Sequence, residues 1–598
     1  MPENSRKIPS RSAIVPAIII SLFAIYPQLT LWFTQGSAWQ GSYFVSNYDE
    51  TAYSAYVNAI ASGQGRLTDA FLSSPTIHES LYSIQFVPAY LAAACTRLFG
   101  GSTSISFIFL SLFCALFSSF AIFWLLRSIT GDESISAVGV LVVLCFGTAI
   151  AFQGELRFWL TGTVLVDFFP FLRRYQPGFA FGLLFLFCGS AWKCFKAISG
   201  KVLIVSSVVS GLMFAVLVYS YFYLWTAAAA WLFVAAIAFF VTAKASRKNV
   251  VIGSSVVVAV AIAALIPYFY LLSQRSAEMD GVQILELTRS LELASPSMLI
   301  GIILSIGFIY IRLSAKSTDH HATAAIGLAF ALTPIVLFNQ QIITGRSLQP
   351  VHYEIFVANY FVLVAAVILV SIFMGRAKCD TKFRKALVYV GIFAVVWGIV
   401  EASGSTGRGS DAAFLRDESV SAIKFANADS LSANTQSNGR VQTMLATNFI
   451  TSDFIPTVST LRPLWTPHTS SAGSIGVTEN KRLFYAFLYF SGFTEKDLSE
   501  ALRAKSFEVT AAIFGSERAL PALGASVAIS SAEIDAEVEL FRKYSAGLNA
   551  DQAYEPVIDY LLVPAKAEPS FTNLEKWYRR DEGRPFGIFK LYRLTKRL

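Results

Sequence analysis

Long apolar stretches of about twenty residues recur through the first two-thirds of the chain, and nothing else in the sequence constrains its fold as strongly. A helix of about 20 apolar residues crosses the roughly 30 Å hydrocarbon layer of a bilayer. Within that layer a helix satisfies its own backbone polar groups, which an open strand or irregular chain does not. Twelve segments qualify, near 13–33, 83–99, 104–126, 135–152, 177–195, 202–220, 222–243, 249–272, 296–314, 322–343, 355–374 and 386–402. Charged residues make up only 14% of the chain, against about a quarter in soluble domains. The expected class is therefore an α-helical polytopic membrane protein. Arg6, Lys7 and Arg11 before the first run resemble a signal peptide, but the run is longer than such a peptide's apolar core, so an uncleaved first span is expected.

The formal charge of +8 does not mark a nucleic-acid partner. Residues 1–402 hold 25 Lys and Arg against 17 Asp and Glu, and 403–598 hold 22 of each. The excess thus lies in the membrane half, where cytoplasmic loops collect basic residues. If all twelve segments crossed, with the N-terminus inside, the clusters at 193–201, 244–248 and 376–385 would fall outside. Withdrawing 83–99, which is short and holds Gln85, Pro88 and Arg97, returns every cluster to the cytoplasm. Eleven spans remain, and 83–99 is expected to lie along the outer surface.

This topology places an extracytoplasmic (periplasmic) domain at 403–598, a membrane domain at 1–402, and a long first outer loop at 34–103. Residues 404–410, rich in Gly and Ser, are the expected linker. In the tail, 441–446, 511–514, 560–563 and 586–594 read as strands, and 494–505 and 531–544 as helices, so an α/β domain is expected. The tail has no cysteine and no recognisable catalytic constellation. Binding an acceptor, capping a site and stabilising the fold all remain open to it. Every basic residue in the outer loops of the membrane half is an arginine: Arg66, Arg97, Arg157, Arg173, Arg174, Arg275, Arg289 and Arg346. Guanidinium forks suit phosphate, so the pattern points to an anionic ligand on the outer face.

Several outer-loop residues carry chemistry. Asp49 and Glu50 precede a helical-looking stretch at 52–61. They fit solvated charges at a helix start, favoured by the helix dipole, as well as a catalytic pair. Asp167 and the pair Arg173–Arg174 fit an interfacial ion pair or an anion site. Arg346 and His352 stand at a span mouth, His352 as a capped interface residue or as a ligand. Tyr221, Tyr223 and Trp225 fit an aromatic belt or a surface for stacking on a sugar or polyprenyl chain.

Asp49-Glu50-Thr51, with a tyrosine at 53, resembles the first-loop motif of the GT-C superfamily, membrane glycosyltransferases that use polyprenyl-phosphate sugars. The likeness is to lipid A aminoarabinose transferases and protein mannosyltransferases. Ser80-Leu81-Tyr82 through Arg97-Leu98-Phe99-Gly100 is similar to a further family stretch, with Ser80 where proline is usual. The resemblance covers roughly residues 13–240. It implies a GT-C-like membrane domain in the inner (plasma) membrane. It also implies a polyprenyl-phosphate-linked sugar donor and a hydroxyl acceptor on a glycan, lipid or protein.

A phosphate leaving group needs no protonation to depart, so a base for the acceptor and cations for the phosphate suffice. The expected mechanism is inverting transfer, with Asp49 as base, Glu50 as helper, and Arg173, Arg174 and Arg346 on the phosphate. Some members of the family use a divalent cation (Mg or Mn), for which Asp49, Glu50, Asp167 and His352 are the candidate ligands. A transporter or flippase for an anionic or lipid-linked substrate is the first alternative, and a non-catalytic subunit of a polysaccharide assembly system the second. Ionisable residues are sparse inside the expected spans, which favours an enzyme over a carrier.

Overall fold

The computed structural model describes residues 11–72, 78–164, 166, 169–314, 318–376, 381–433, 440–519, 528–566 and 568–597. Among them, ten helices are long and apolar enough to cross a membrane. They include Arg11–Gln35, Thr103–Thr130, Gly178–Phe195, Gly200–Val218, Phe222–Thr242, Arg247–Ser273 and the 53-residue Thr381–Ala433. The eleventh expected span, 135–152, is shorter than its hydropathy suggested. Its helix Glu133–Cys145 has 13 residues and gives way at Phe146 to a single turn, Gly147–Ile150. Asn359 Nδ2 donates to the Gly147 carbonyl at 2.9 Å. A Cβ on Gly147 would lie 2.4 Å from the Tyr360 ring, so only glycine lets that ring approach. Phe86–Leu98, the segment withdrawn on charge grounds, is also a 13-residue helix. At 1.5 Å per residue it spans about 20 Å, too little for the hydrocarbon layer.

The chain forms two compact units. The first comprises residues 1–30, 108–270 and 287–408 and consists largely of apolar helices. Arg247–Ser273 illustrates its packing: Gly253, Val257, Ala261 and Ala264 are buried, while Val251, Val258, Ile262 and Ile266 are exposed. Gly253, Ala261 and Ala264 toward neighbouring helices, with branched residues outward, fit the small-residue interfaces of helices in lipid. A Cβ at Gly253 would stand 2.1 Å from Cys194 Sγ, so the close approach there depends on glycine.

The second unit comprises residues 31–107, 271–286 and 409–598. Its sheet has strands β1 (Thr443–Ala446), β2 (Arg462–Pro463), β3 (Ile558–Pro564), β4 (Tyr578–Arg580), β5 (Arg584–Phe586) and β6 (Phe589–Lys596). They run in the order β2-β1-β3-β6-β4, with β5 also paired to β6. The β1–β2 and β1–β3 pairs are parallel, with Leu445 opposite Leu561, and the remainder antiparallel. Trp465, Phe484, Phe487, Leu561, Tyr578 and Tyr592 belong to one apolar core.

The expected helix near 494–505 is Glu495–Arg503, closed by a capping box between Thr494 and Asp497. The one at 531–544 is Ser531–Gly547. Residues 511–514, expected as a strand, end the helix Phe507–Phe514 instead. The two alanines favour helix, and Val509, Ala512 and Ile513 share one buried face. Residues 404–410, expected as the linker, are helical inside Thr381–Ala433, and one boundary between the two units follows Arg408.

Candidate functional site

Asp49 stands at the N-cap of the helix Glu50–Ala61, in the second unit. That helix is buried along almost its whole length and is fastened by polar contacts to the helix Phe449–Val458. Asn58 Nδ2 donates to the Pro456 and Ser459 carbonyls at 3.0 and 2.9 Å, and the Ser54 and Thr457 hydroxyls meet at 2.9 Å. At the far end Arg97 donates to the carbonyls of Ile60 and Ala61. The turn before Asp49 is held by Glu50, whose buried carboxylate accepts from Ser46 N at 3.0 Å. Asp417 fastens the approach to that turn. It accepts from the backbone N–H groups of Gln40 and Ser42 and from the Ser42 hydroxyl.

Beside Asp49 lies a buried Asp–His pair, both members from the tail, which no local motif in the sequence marks. Asp453, 3% exposed, accepts from His468 Nδ1 at 2.8 Å, from Thr51 Oγ1 at 2.6 Å and from Thr466 Oγ1 at 2.5 Å. Burial alone would raise the Asp453 carboxyl, but the adjacent His468 and these hydrogen bonds hold it below the usual carboxylate range. Thr466-Pro467-His468-Thr469 forms a side-chain-stapled turn, with His468 N donating to Thr466 Oγ1 and Thr466 N to Thr469 Oγ1.

The imidazole is 5% exposed and lies against the Tyr48 ring, centroids 4.3 Å apart. Its Nε2 has no hydrogen-bond partner among the described residues and stands 3.8 Å from Asp49 Oδ1. Asp49 itself is 43% exposed. Buried Arg416 adds a positive charge that acts on both Glu50 and Asp453.

The first unit gathers a second set. Arg173 and Arg174 are buried, and the Arg173 guanidinium lies 5.3 Å from the Phe356 ring centroid. Burial pulls the Arg173 guanidinium below its ordinary value, against the opposing influence of Tyr221 and Tyr223. Tyr223 stacks on His352 with centroids 4.7 Å apart, and Tyr221 meets Phe356 edge-on. Trp225 meets Phe214, Phe222 and Tyr268, and Phe222 in turn meets Tyr223 edge-on. Arg346 is exposed on the strand Arg346–Leu348. Asp167 lies outside the described residues.

The arginine-only pattern has a partly structural origin. Arg66 pairs with Glu79, Arg97 and Arg289 donate to helix-end carbonyls, and Arg275 pairs with Asp280. A planar fork satisfies two acceptors where an ammonium holds one point. Of the proposed metal ligands, Asp49 and Glu50 fall in the second unit and His352 in the first. Among the described residues no three His, Cys, Asp or Glu side chains converge as a metal site would need.

Taken together, the helices and the folded tail define a multi-pass membrane protein with a polar α/β domain. No protein-family profile matches the chain, and neither does any curated protein. Among solved structures, it is similar to an oligosaccharyltransferase of Archaeoglobus fulgidus, at 12% identity and a TM-score of 0.47, covering 96% of this chain and 73% of that one. The AglB oligosaccharyltransferase of the same organism, in complex with an inhibitory peptide and a dolichol-phosphate, gives 11% identity and 0.46, covering 97% and 74%. ArnT from Cupriavidus metallidurans, bound to undecaprenyl phosphate, gives 11% and 0.42, covering 96% and 97%. These likenesses concern the path of the chain and leave the chemistry to its own residues.

Proposed function

We propose that the protein is a membrane glycosyltransferase of the GT-C type. In this reading it moves a sugar from a polyprenyl-phosphate donor to an acceptor hydroxyl on the outer face of the plasma membrane, with inversion. The N-terminus is cytoplasmic and the tail extracytoplasmic. The observation that carries the reading is the setting of Asp49: a half-exposed carboxylate on a rigid, buried helix, facing a buried Asp–His pair. Such an arrangement suits removal of a proton from a hydroxyl, which is the step this reaction must catalyse.

Asp49 acts as the base, and Glu50 holds the turn that aims it. Arg173 and Arg174 bind the donor phosphate, with Arg346 as a further contact. Tyr221 and Tyr223 line the apolar surroundings of Arg173. A buried guanidinium among aromatic rings binds an anion more strongly than an exposed one, because water competes less. A divalent cation at the phosphate would do the same work, and growth of activity with added Mg or Mn is its test. The function itself is tested with the full chain in membranes supplied with undecaprenyl phosphate carrying a radiolabelled sugar. Label should pass to a polar or polymeric product, and the Asp49→Asn variant should insert normally yet transfer none.

A further inference from the structure

We propose that His468 is the relay behind Asp49, its Nε2 taking the proton that Asp49 draws from the acceptor hydroxyl. The proposal rests on the glycosyl-transfer reading and deepens it. The tautomer follows from the hydrogen bonds. Asp453 is an ionised carboxylate that also accepts from Thr51 and Thr466, so its partner atom, His468 Nδ1, must carry a hydrogen. In the neutral ring Nε2 is then an acceptor. It is the one polar atom of that buried ring without a partner among the described residues, and it points to Asp49. The 3.8 Å between Nε2 and Asp49 Oδ1 is closed by a small rotation of the half-exposed carboxylate or bridged by one hydroxyl oxygen.

The step balances. The acceptor oxygen bonds to the anomeric carbon as the bond from that carbon to the phosphate oxygen breaks, its electron pair leaving with the phosphate. The hydroxyl proton passes to Asp49 and then to Nε2. Asp49 is left ionised, and the resulting imidazolium lies between Asp49 and Asp453. The buried Asp453 orients the ring and compensates its charge, the division of labour seen in His–Asp pairs elsewhere. His468 acts through Asp49 and is a positioning and relay residue.

The test uses the full chain in membranes with undecaprenyl phosphate carrying a radiolabelled sugar. The unaltered protein transfers label, His468→Gln falls about 10²-fold, and His468→Ala recovers part of its loss when free imidazole is added. Asp453→Asn, which reverses the ring's hydrogen-bonding, falls comparably without imidazole rescue. Thermal unfolding of each variant shows that it remains folded. Full activity in His468→Gln overturns the relay alone. So does a folded His468→Ala variant that imidazole fails to restore, since that pattern marks a packing role. Absence of transfer by the unaltered protein overturns the glycosyl-transfer reading and the relay with it.

Discussion

The two clusters are built on opposite principles. Around Asp49, carboxylates, hydroxyls and an imidazole form a connected hydrogen-bond network, in which Asp453 alone receives three side-chain donors. Around Arg173 stand aromatic rings: Phe356 lies under its guanidinium, and Tyr221 and Tyr223 act on its charge. A dense polar network fixes where protons sit, because each donor already has its acceptor. An aromatic surround lowers the local dielectric, which strengthens any charge–charge contact made there. One cluster is suited to moving a proton and the other to holding an anion.

Substitutions that separate these two kinds of chemistry sharpen the contrast. The largest effect is expected for Asp49→Asn, with transfer falling by about 10³-fold or more and donor binding unchanged. Loss of donor binding in that variant would dissolve the division of labour. Arg173→Ala should act the other way, weakening the donor by about 10- to 100-fold through loss of a charged hydrogen bond. The check is retention of undecaprenyl phosphate by the purified protein. Arg173→Lys should recover only part of it, since the ammonium lacks the fork.

A third position addresses stability. The Asp453 carboxyl is held below its ordinary value, so its contribution is fully present above about pH 4 and is lost as pH falls through its folded value. Asp453→Asn should therefore unfold earlier than the unaltered protein at neutral pH, by about 3 kcal/mol for a broken buried pair. The gap should narrow on acidification, as followed by denaturation at stepped pH. Trp225→Phe, whose ring packs on Phe214, Phe222 and Tyr268, should change transfer by less than about twofold.

The contrast also decides what could be read from the sequence. Membrane helices announce themselves, because an apolar run of the right length has few other folds. The withdrawal of 83–99 needed only charge counting, and the capping box at Thr494 and Asp497 is local. Asp49 was visible because it sits in a short motif at a helix start. Asp453 and His468 were not, since Thr51 and Asp453 lie 402 positions apart and meet only through folding. A lone aspartate in the apolar stretch 449–456 and a lone histidine after Pro467 each have ordinary explanations. The one local hint was an acidic residue on what proves to be a buried helix, a position that requires partners. The strand expected at 511–514 failed for a related reason: four apolar residues do not distinguish strand from helix without their neighbours.

Asp417 has a consequence for how this protein can be watched. One carboxylate gathers two amide hydrogens and a hydroxyl from residues 40–42, and Gln40 Oε1 accepts from Ser421 N at 3.1 Å, so that stretch is tethered to the helix Thr381–Ala433 just upstream of Asp49. Those two amides are built-in reporters, slow to exchange with deuterium while the tether holds and quick once it opens. An acceptor that settles against Asp49 should quieten them further, giving a readout of occupancy that requires no turnover.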